Sequence, residues 1–198
     1  MEKNYKPVKW LLSVLLLLLF IIAIMVWLSP YGGDKRFSHE VIIQTIDIHA
    51  PAERAFLFLG NSNNASHWSS FINHITVLNV DSFADGNVGS RRRCFQNKNE
   101  KGMQWDELIT KVEVNKEREL IIYNLQHFAM MADNLATEQF YENIGSNNCR
   151  LTFTLFFKKD NPSIWDALKL YVAAYKIKPI FKRNLNNIKQ IIEHRQNE

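Results

Sequence analysis

Hydrophobic and polar residues follow three different patterns along the chain. Residues 10–28 form an unbroken apolar run. Most of residues 39–157 consists of short apolar or alternating segments separated by Gly, Asn, Asp and Lys, a pattern typical of strands joined by turns. Residues 162–193 carry apolar positions at helical spacing. The pattern predicts an apolar helix, a β-rich region and a terminal helix.

The apolar run WLLSVLLLLLFIIAIMVWL, from Trp10 to Leu28, has one hydroxyl and no charge in 19 residues. As a helix it measures roughly 28 Å, which is close to the hydrocarbon thickness of a bilayer. The run exceeds the usual core of a signal peptide, and no A-x-A-like site follows it. We expect an uncleaved transmembrane anchor at 10–28, with a cleaved signal peptide as the alternative.

The charges around this span predict its orientation. Three lysines precede it, and Lys35 and Arg36 follow it, so the positive-inside bias favours, by a small margin, a cytoplasmic tail at 1–9. Residues 29–38 (SPYGGDKRFS) are predicted to be a linker to a domain at 39–195. We therefore expect a single-pass membrane protein whose domain is periplasmic or extracellular.

The domain is predicted to begin with a strand and two short helices. Apolar and polar residues alternate in HEVIIQTIDIHAP until Pro51, which also suits the first turn of a helix. Ala55, Phe56 and Leu59 then form an apolar stripe that ends at Gly60. A second short helix is predicted across Ala65–Phe71.

Six β-rich runs follow between residues 72 and 157, and their short spacers predict hairpins and an antiparallel sheet. In the last segment, Leu185, Ile188 and Ile192 continue one helical face, while Pro179 is expected to break or kink the helix. Only this helix is long enough to cover the apolar face of the sheet. We predict an α+β fold in which seven curved antiparallel strands surround the C-terminal helix and leave an apolar cavity.

Composition narrows the choice of partner and chemistry. Residues 30–198 hold 21 of the 24 basic and 19 of the 20 acidic side chains, so the domain is nearly balanced in charge and nucleic acid is not expected as a partner. The six histidines lack metal-ligand spacing, and we expect no metal and no cofactor.

Cys94 and Cys149 are expected to be small, partly buried thiols, with a single disulfide as the alternative.

Several segments resemble the START-like helix-grip (SRPBCC) superfamily of polyketide cyclase/dehydrase-type and lipid-transfer domains. The matching segments are Ile46–Ile48 with Ala50–Glu53, Trp68 to Phe71, Gly86 to Gly89, Trp105–Glu107 and Ile180–Glu193. They extend over about residues 39–195. The resemblance implies a helix-grip fold and a lipid or other hydrophobic ligand held between sheet and helix, and it is more specific for fold than for function.

Candidate ligand contacts include apolar residues in these segments and in the terminal helix. They are Trp68, Phe71, Trp105, Phe181 and Leu185. Trp68 has a second interpretation, in which it closes one end of the core.

Polar candidates come from the predicted strands. Asp106 and Glu107 must point to opposite faces, so one carboxylate faces inward, where burial would raise its pKa and suit it to acid–base work. The alternative is a rim position where the inward acid meets solvent or an arginine. We select Glu107 as the candidate, with Tyr123 and His127 as possible proton relays.

The run Arg91-Arg92-Arg93 is unusual for a strand. Alternation places Arg91 and Arg93 on one face and Arg92 on the other. A guanidinium pointing inward would hold a carboxylate or phosphate, and we select Arg91 and Arg93 as candidate contacts. The alternatives are an exposed strand kept soluble by its charge and attraction to phospholipid at the membrane surface.

Three functions fit these patterns. The first is a membrane-anchored module that binds a lipid or other hydrophobic small molecule. The second is a cyclase or dehydratase acting on an apolar substrate, and the third is an envelope interaction protein without a ligand. An apolar cavity with one polar anchor favours binding, converging titratable groups favour catalysis, and a filled core favours the third function.

Overall fold

The computed structural model describes residues 6–128, 131–158 and 162–194. Its helices are α1 (Lys6–Trp27), α2 (Ala52–Gly60), α3 (Ala65–Trp68) and α4 (Ile164–His194). Its strands are β1 (Ile42–Ile48), β2 (His74–Val77), β3 (Arg91–Phe95), β4 (Gln104–Glu113), β5 (Glu117–Gln126), β6 (Leu135–Gly145) and β7 (Asn148–Phe157). Both ends of the predicted layout, residues 1–5 and residue 195, lie outside the described residues.

The seven strands form one antiparallel sheet in the order β1-β7-β6-β5-β4-β3-β2. Strand number and direction are therefore confirmed. Alternation gives the sheet two faces: an inner face with Ile48, Leu151 and Phe153, and an outer face with Ala136 and Phe156. The inner face carries the larger core and is the one that α4 covers.

Helix α4 runs for 31 residues across the inner face. Leu185, Ile188 and Ile192 are buried there, as predicted, and Phe181 meets Phe153 edge to face at 5.8 Å between ring centroids. Of the predicted break or kink at Pro179, a break is excluded, because the helix continues through the proline. Residues on both sides of the proline pack against the sheet, and this packing holds the helix together where one backbone hydrogen bond is missing.

The short helices α2 and α3 close one end of the structure. Helix α3 ends at Trp68, three residues earlier than predicted, because Ser69 is extended and its Oγ accepts hydrogen bonds from the backbone N–H groups of Phe71 and Ile72. The turn before β3 needs glycine at Gly86, where φ is +81° and a Cβ would lie 2.5 Å from the carbonyl oxygen of Gly60.

The segment 29–38 packs on the domain instead of forming a free linker. Tyr31 is 5% exposed and meets Tyr171 of α4 edge to face at 4.9 Å. Farther along, Arg36 Nη1 donates to Glu138 Oε2 at 2.9 Å on the outer face. The prediction of a simple linker missed these contacts because each partner lies more than a hundred positions away in sequence.

Helix α1 is the apolar helix predicted from the sequence, and no part of Val8–Trp27 is buried by the rest of the protein. Its last turn and the residues just after it meet α4. Tyr175 Oη donates to the carbonyl oxygen of Met25 at 2.7 Å, and Ser29 Oγ donates to the carbonyl oxygen of Tyr171 at 2.8 Å. The first half of α4 thus touches both the domain and the end of the apolar helix.

Cys94 and Cys149 are both buried and form no disulfide, in agreement with the prediction of two buried thiols. Burial raises the pKa of both, that of Cys149 to about 11. A raised pKa keeps a thiol neutral and unreactive, so both side chains serve as small core residues.

Candidate ligand-binding site

A cavity of about 460 Å³ lies between the inner face of the sheet and α4. A volume in this range suits one small ligand. Its lining is mainly apolar, with aliphatic and aromatic side chains from the sheet, from α4 and from the segments after α3 and β5. They include Phe71, Ile72, Ile75, Met103, Trp105, Leu120, Ile122, Leu125, Phe128, Phe153, Leu155, Ala173, Ile177 and Phe181.

Aromatic rings form one wall of the cavity. Trp105 on β4 stacks on Phe71, with ring centroids 5.7 Å apart, and meets Phe128 edge to face at 5.9 Å. Trp68 meets Phe153 edge to face at 6.1 Å, is 8% exposed, and belongs to the core that closes this end. Four of the five apolar candidates line the cavity, whereas Leu185 lies in the core beneath it.

The cavity contains one buried ion pair. Arg92 on β3 and Glu107 on β4 are cross-strand partners, and Arg92 Nε donates to Glu107 Oε2 at 2.7 Å. Trp105 Nε1 donates to the other oxygen, Oε1, at 3.0 Å. Arg92 and Glu107 are 5% and 7% exposed. Burial alone would lower the pKa of Arg92, but the nearby carboxylate of Glu107 outweighs it and raises that pKa, so Arg92 stays charged.

A second arginine lies behind the cavity wall. Arg118 Nη1 donates to Gln139 Oε1 at 3.0 Å, and its Nε donates to the carbonyl oxygen of Gly86 at 3.0 Å. Its guanidinium lies 4.3 Å from the ring centroid of Phe56 on α2. Burial lowers the pKa of Arg118. These contacts join the sheet to α2, and they make Arg118 a structural residue instead of an exposed donor.

Arg91 and Arg93 do not point toward the cavity, and this part of the prediction is corrected. Both lie on the outer face, where Arg93 donates to Asp106 through Nε at 2.6 Å and Nη2 at 2.9 Å. Tyr123 is the cross-strand partner of Asp106 and shares that face. The reason is the pleat of the sheet, which sends alternate residues to opposite sides.

His127 is also outside the cavity. It is exposed just after β5 and has a φ of +60°, while its neighbour Phe128 lines the cavity. A residue in this left-handed conformation turns the chain at a strand end. Tyr123 and His127 were suggested as proton relays for Glu107. Neither lies in the cavity beside Glu107, so neither is in position to transfer a proton to or from it.

Sequence reasoning missed Arg92, the only arginine of the run that lines the cavity. A signal existed, because Arg92 and the buried Cys94 lie on one face by alternation. It was ambiguous, since apolar Phe95 belongs to the other face together with Arg91 and Arg93. The strand register between β3 and β4, which pairs Arg92 with Glu107, is set by the tertiary structure and cannot be read from the sequence of β3 alone.

The arrangement is suited to binding an apolar molecule with a polar end. Both oxygens of Glu107 already accept a bond from a protein donor, whereas Arg92 uses only Nε within the described part of the chain. In residues 6–128, 131–158 and 162–194 there is no group of three or more His, Cys, Asp or Glu side chains arranged to hold a metal. Within the buried ion pair, the groups left free to bond a ligand are therefore the terminal N–H donors of Arg92.

A long helix gripped by a curved antiparallel sheet over an apolar cavity defines a helix-grip domain. Residues 40–193 match the family model described as polyketide cyclase / dehydrase and lipid transport. The chain belongs to this family. No curated protein matches it.

Solved structures share the fold at low identity. The protein XoxI from Bacillus cereus is 14% identical, with a TM-score of 0.57, over 77% of this chain and 94% of that one. Norcoclaurine synthase from Thalictrum flavum, in complex with dopamine and hydroxybenzaldehyde, is 11% identical, with a TM-score of 0.56, over 77% and 85%. The di-domain ARO/CYC BexL of the BE-7585A biosynthetic pathway is 10% identical, with a TM-score of 0.59, over 80% and 48%. At these identities the similarity shows the fold alone.

Proposed function

We propose that the chain is a membrane-anchored domain that binds a lipid or other hydrophobic small molecule in the cavity between sheet and α4, without converting it. The observation that carries this proposal is the apolar cavity of about 460 Å³ with a single buried ion pair in its lining. The proposed layout is a cytoplasmic tail at 1–9, an anchor at 10–28, a connecting segment at 29–38 and a ligand-binding domain at 39–195. The domain lies on the periplasmic or outer side.

Contacts at the end of α1 favour an anchor over a signal peptide. Val8–Trp27 is apolar and is not buried by the rest of the protein, which fits an anchor and a signal peptide alike. The bonds from Tyr175 to Met25 in the last turn of α1, and from Ser29 just after α1 to Tyr171, join this end to the domain, as an anchor that stays attached would require. An anchor predicts that the protein in the membrane fraction keeps its first residues, which N-terminal sequencing would detect. A start near residue 29 would contradict it.

The mouth of the cavity lies beside the end of α1. Val172 and Lys176 line the cavity and are exposed, so they mark its opening on α4. They belong to the same two turns as Tyr171 and Tyr175, which contact the end of α1. With α1 in a bilayer, the opening is held near the lipid surface, and an apolar ligand has a short path between membrane and cavity.

A cyclase or dehydratase is the alternative function, and the geometry gives it less support. Acid–base catalysis needs a titratable group directed at the substrate. Glu107 is held by Arg92 and Trp105, while Tyr123 and His127 lie away from the cavity. An interaction protein without a ligand needs a filled core, and the open cavity disfavours that function.

Mass spectrometry of co-purified molecules tests the proposal directly. We would purify the full chain in detergent and compare its bound lipids with those of Ala173→Trp, whose larger side chain would fill part of the cavity. Ala173 lines the cavity, whereas the exposed Asn186 on the same helix does not, so Asn186→Trp is the matched control. Lipids bound around α1 should appear with all three proteins.

The expected result is a small apolar molecule that co-purifies with the wild type and with Asn186→Trp but is depleted in Ala173→Trp. Identical lipid profiles for all three proteins would contradict binding in the cavity. A molecule recovered in chemically altered form, with turnover that depends on Glu107, would favour the cyclase or dehydratase.

A further inference from the structure

We infer that the ligand carries an uncharged hydrogen-bond acceptor, the oxygen of an ester, a ketone or an alcohol, and that the terminal nitrogens of Arg92 receive it. This inference rests on the proposed function, because it assigns the polar end of the same apolar ligand. It also excludes a free carboxylate as the preferred head group.

The first argument is the supply of donors and acceptors inside the cavity. Arg92 has five N–H groups in a fixed fork, and Nε alone bonds to Glu107. Trp105 Nε1 is occupied by Glu107, and the two oxygens of Glu107 are occupied by Trp105 and Arg92. The polar groups left for a ligand in this pair are therefore donors, and the matching group is an acceptor.

The second argument is charge. Arg92 and Glu107 form a neutral pair, with side chains 6% and 9% exposed. A ligand carboxylate at Arg92 would place a second negative charge beside Glu107, in a cavity where little water screens their repulsion. A neutral oxygen gains the charge-assisted hydrogen bond without that repulsion.

The third argument is position. Glu107 is fixed through Trp105, whose ring stacks on Phe71 and meets Phe128, and all three rings line the cavity. The ion pair thus lies next to an aromatic wall, with apolar side chains over most of the remaining surface. An amphiphile placed with its oxygen on Arg92 leaves its apolar part against these residues.

The experiment compares dodecanol, methyl dodecanoate and sodium dodecanoate, which share a similar apolar chain. The full chain in detergent is incubated with an equimolar mixture, and native mass spectrometry gives the ratio of bound species. The same mixture is added to Glu107→Gln and to the double variant Arg92→Met/Glu107→Leu. Because every protein sees the same micelles, differences in micelle partition cancel when ratios are compared between proteins.

Glu107→Gln keeps one oxygen acceptor, where the carboxylate offers two, to Arg92 Nε and Trp105 Nε1, and it leaves the charge of Arg92 without compensation. Its ratio of bound dodecanoate to bound dodecanol should rise about tenfold or more over the wild type, because a charged hydrogen bond now forms without opposing repulsion. The double variant removes both charges and keeps an apolar filling. It should bind the alcohol and the ester about tenfold more weakly than the wild type.

The outcomes separate this inference from the proposed function. Equal binding of the alcohol and the ester by the wild type and the double variant would overturn the role of Arg92 and leave cavity binding intact. A wild type that binds dodecanoate more strongly than Glu107→Gln does would overturn the preference for a neutral acceptor. Failure of every protein to bind any of the three compounds would overturn both.

Discussion

Two arginine–carboxylate pairs lie side by side on β3 and β4, and they differ in surroundings more than in geometry. Arg92–Glu107 and Arg93–Asp106 are consecutive cross-strand pairs, and their Nε-to-oxygen distances are 2.7 and 2.6 Å. The first points inward, where its arginine side chain is 6% exposed. The second points outward, where its arginine side chain is 33% exposed.

The difference shows that one residue of alternation decides what an ion pair does. On the inner face, neither charge reaches bulk water, so each depends on the other and the pair becomes part of the cavity wall. On the outer face, Arg93 keeps contact with solvent. If its partner Asp106 is removed, water can solvate the guanidinium, so its charge is not left buried without a partner. The same two residue types thus form part of the cavity wall on one side and a partly exposed surface pair on the other.

The largest expected effect is on the inner pair. Glu107→Leu should lower the free energy of unfolding by about 3–5 kcal/mol, because it leaves the Arg92 charge buried without a partner. Urea unfolding of the full chain in detergent measures it. The control is Arg92→Met/Glu107→Leu, which should recover most of the loss. If the double variant is as unstable as the single one, the cost does not come from the stranded charge.

The outer pair should give a smaller effect. Asp106→Ala removes two hydrogen bonds from Arg93 and one from Asn124, and we expect a loss of about 1–2 kcal/mol, because Arg93 is rehydrated. The same unfolding experiment measures it. A loss as large as that of Glu107→Leu would show that the two faces do not differ as described.

The pH dependence sharpens the comparison further. Burial acts to raise the pKa of Asp106, but the hydrogen bonds from Arg93 and Asn124 outweigh it, and the pKa lies below 3.8. The ionised Asp106 side chain therefore stabilises the folded state above pH 3.8, and this stabilisation is lost as the pH falls through the lower pKa of the folded state. The stability difference between the wild type and Asp106→Asn should shrink in that acid range. A difference that stays constant there would contradict this assignment.

The smallest effect is expected for a pair with both partners exposed. Arg150 Nε donates to Asp47 Oδ1 at 2.8 Å, with side chains 44% and 51% exposed. Solvent and salt screen such a pair, so Asp47→Ala should leave the unfolding midpoint within experimental error of the wild type. A clear drop in the midpoint that disappears in high salt would show that the pair contributes more than its exposure indicates.

Much of the fold was predictable from local patterns. Alternation indicated the first strand, β-rich runs between turn residues indicated the other six, and their short spacers indicated an antiparallel sheet. Helical spacing placed Leu185, Ile188 and Ile192 on the buried face of α4. The errors came where contacts between distant segments override local preference. Pro179 is tolerated because the flanking residues are packed, and residues 29–38 are ordered by partners such as Tyr171 and Glu138.

The candidate site was predicted only in part. Trp68, Phe71, Trp105, Glu107 and Phe181 line the cavity, as expected from the segments that resemble the family. Arg92 was missed in favour of Arg91 and Arg93, which share a face with the apolar Phe95. Period-two alternation divides a strand into two faces, but it does not say which face is covered.

The sequence by itself determined the elements, the antiparallel sheet, the apolar helix near the start and the near-balanced charge of the domain, because periodicity and composition are local properties of a chain. Only the tertiary structure decided which side of β3 faces α4, that Arg92 meets Glu107, and that the cavity opens beside the end of α1. These features depend on register and on helix packing, which join residues far apart in the chain.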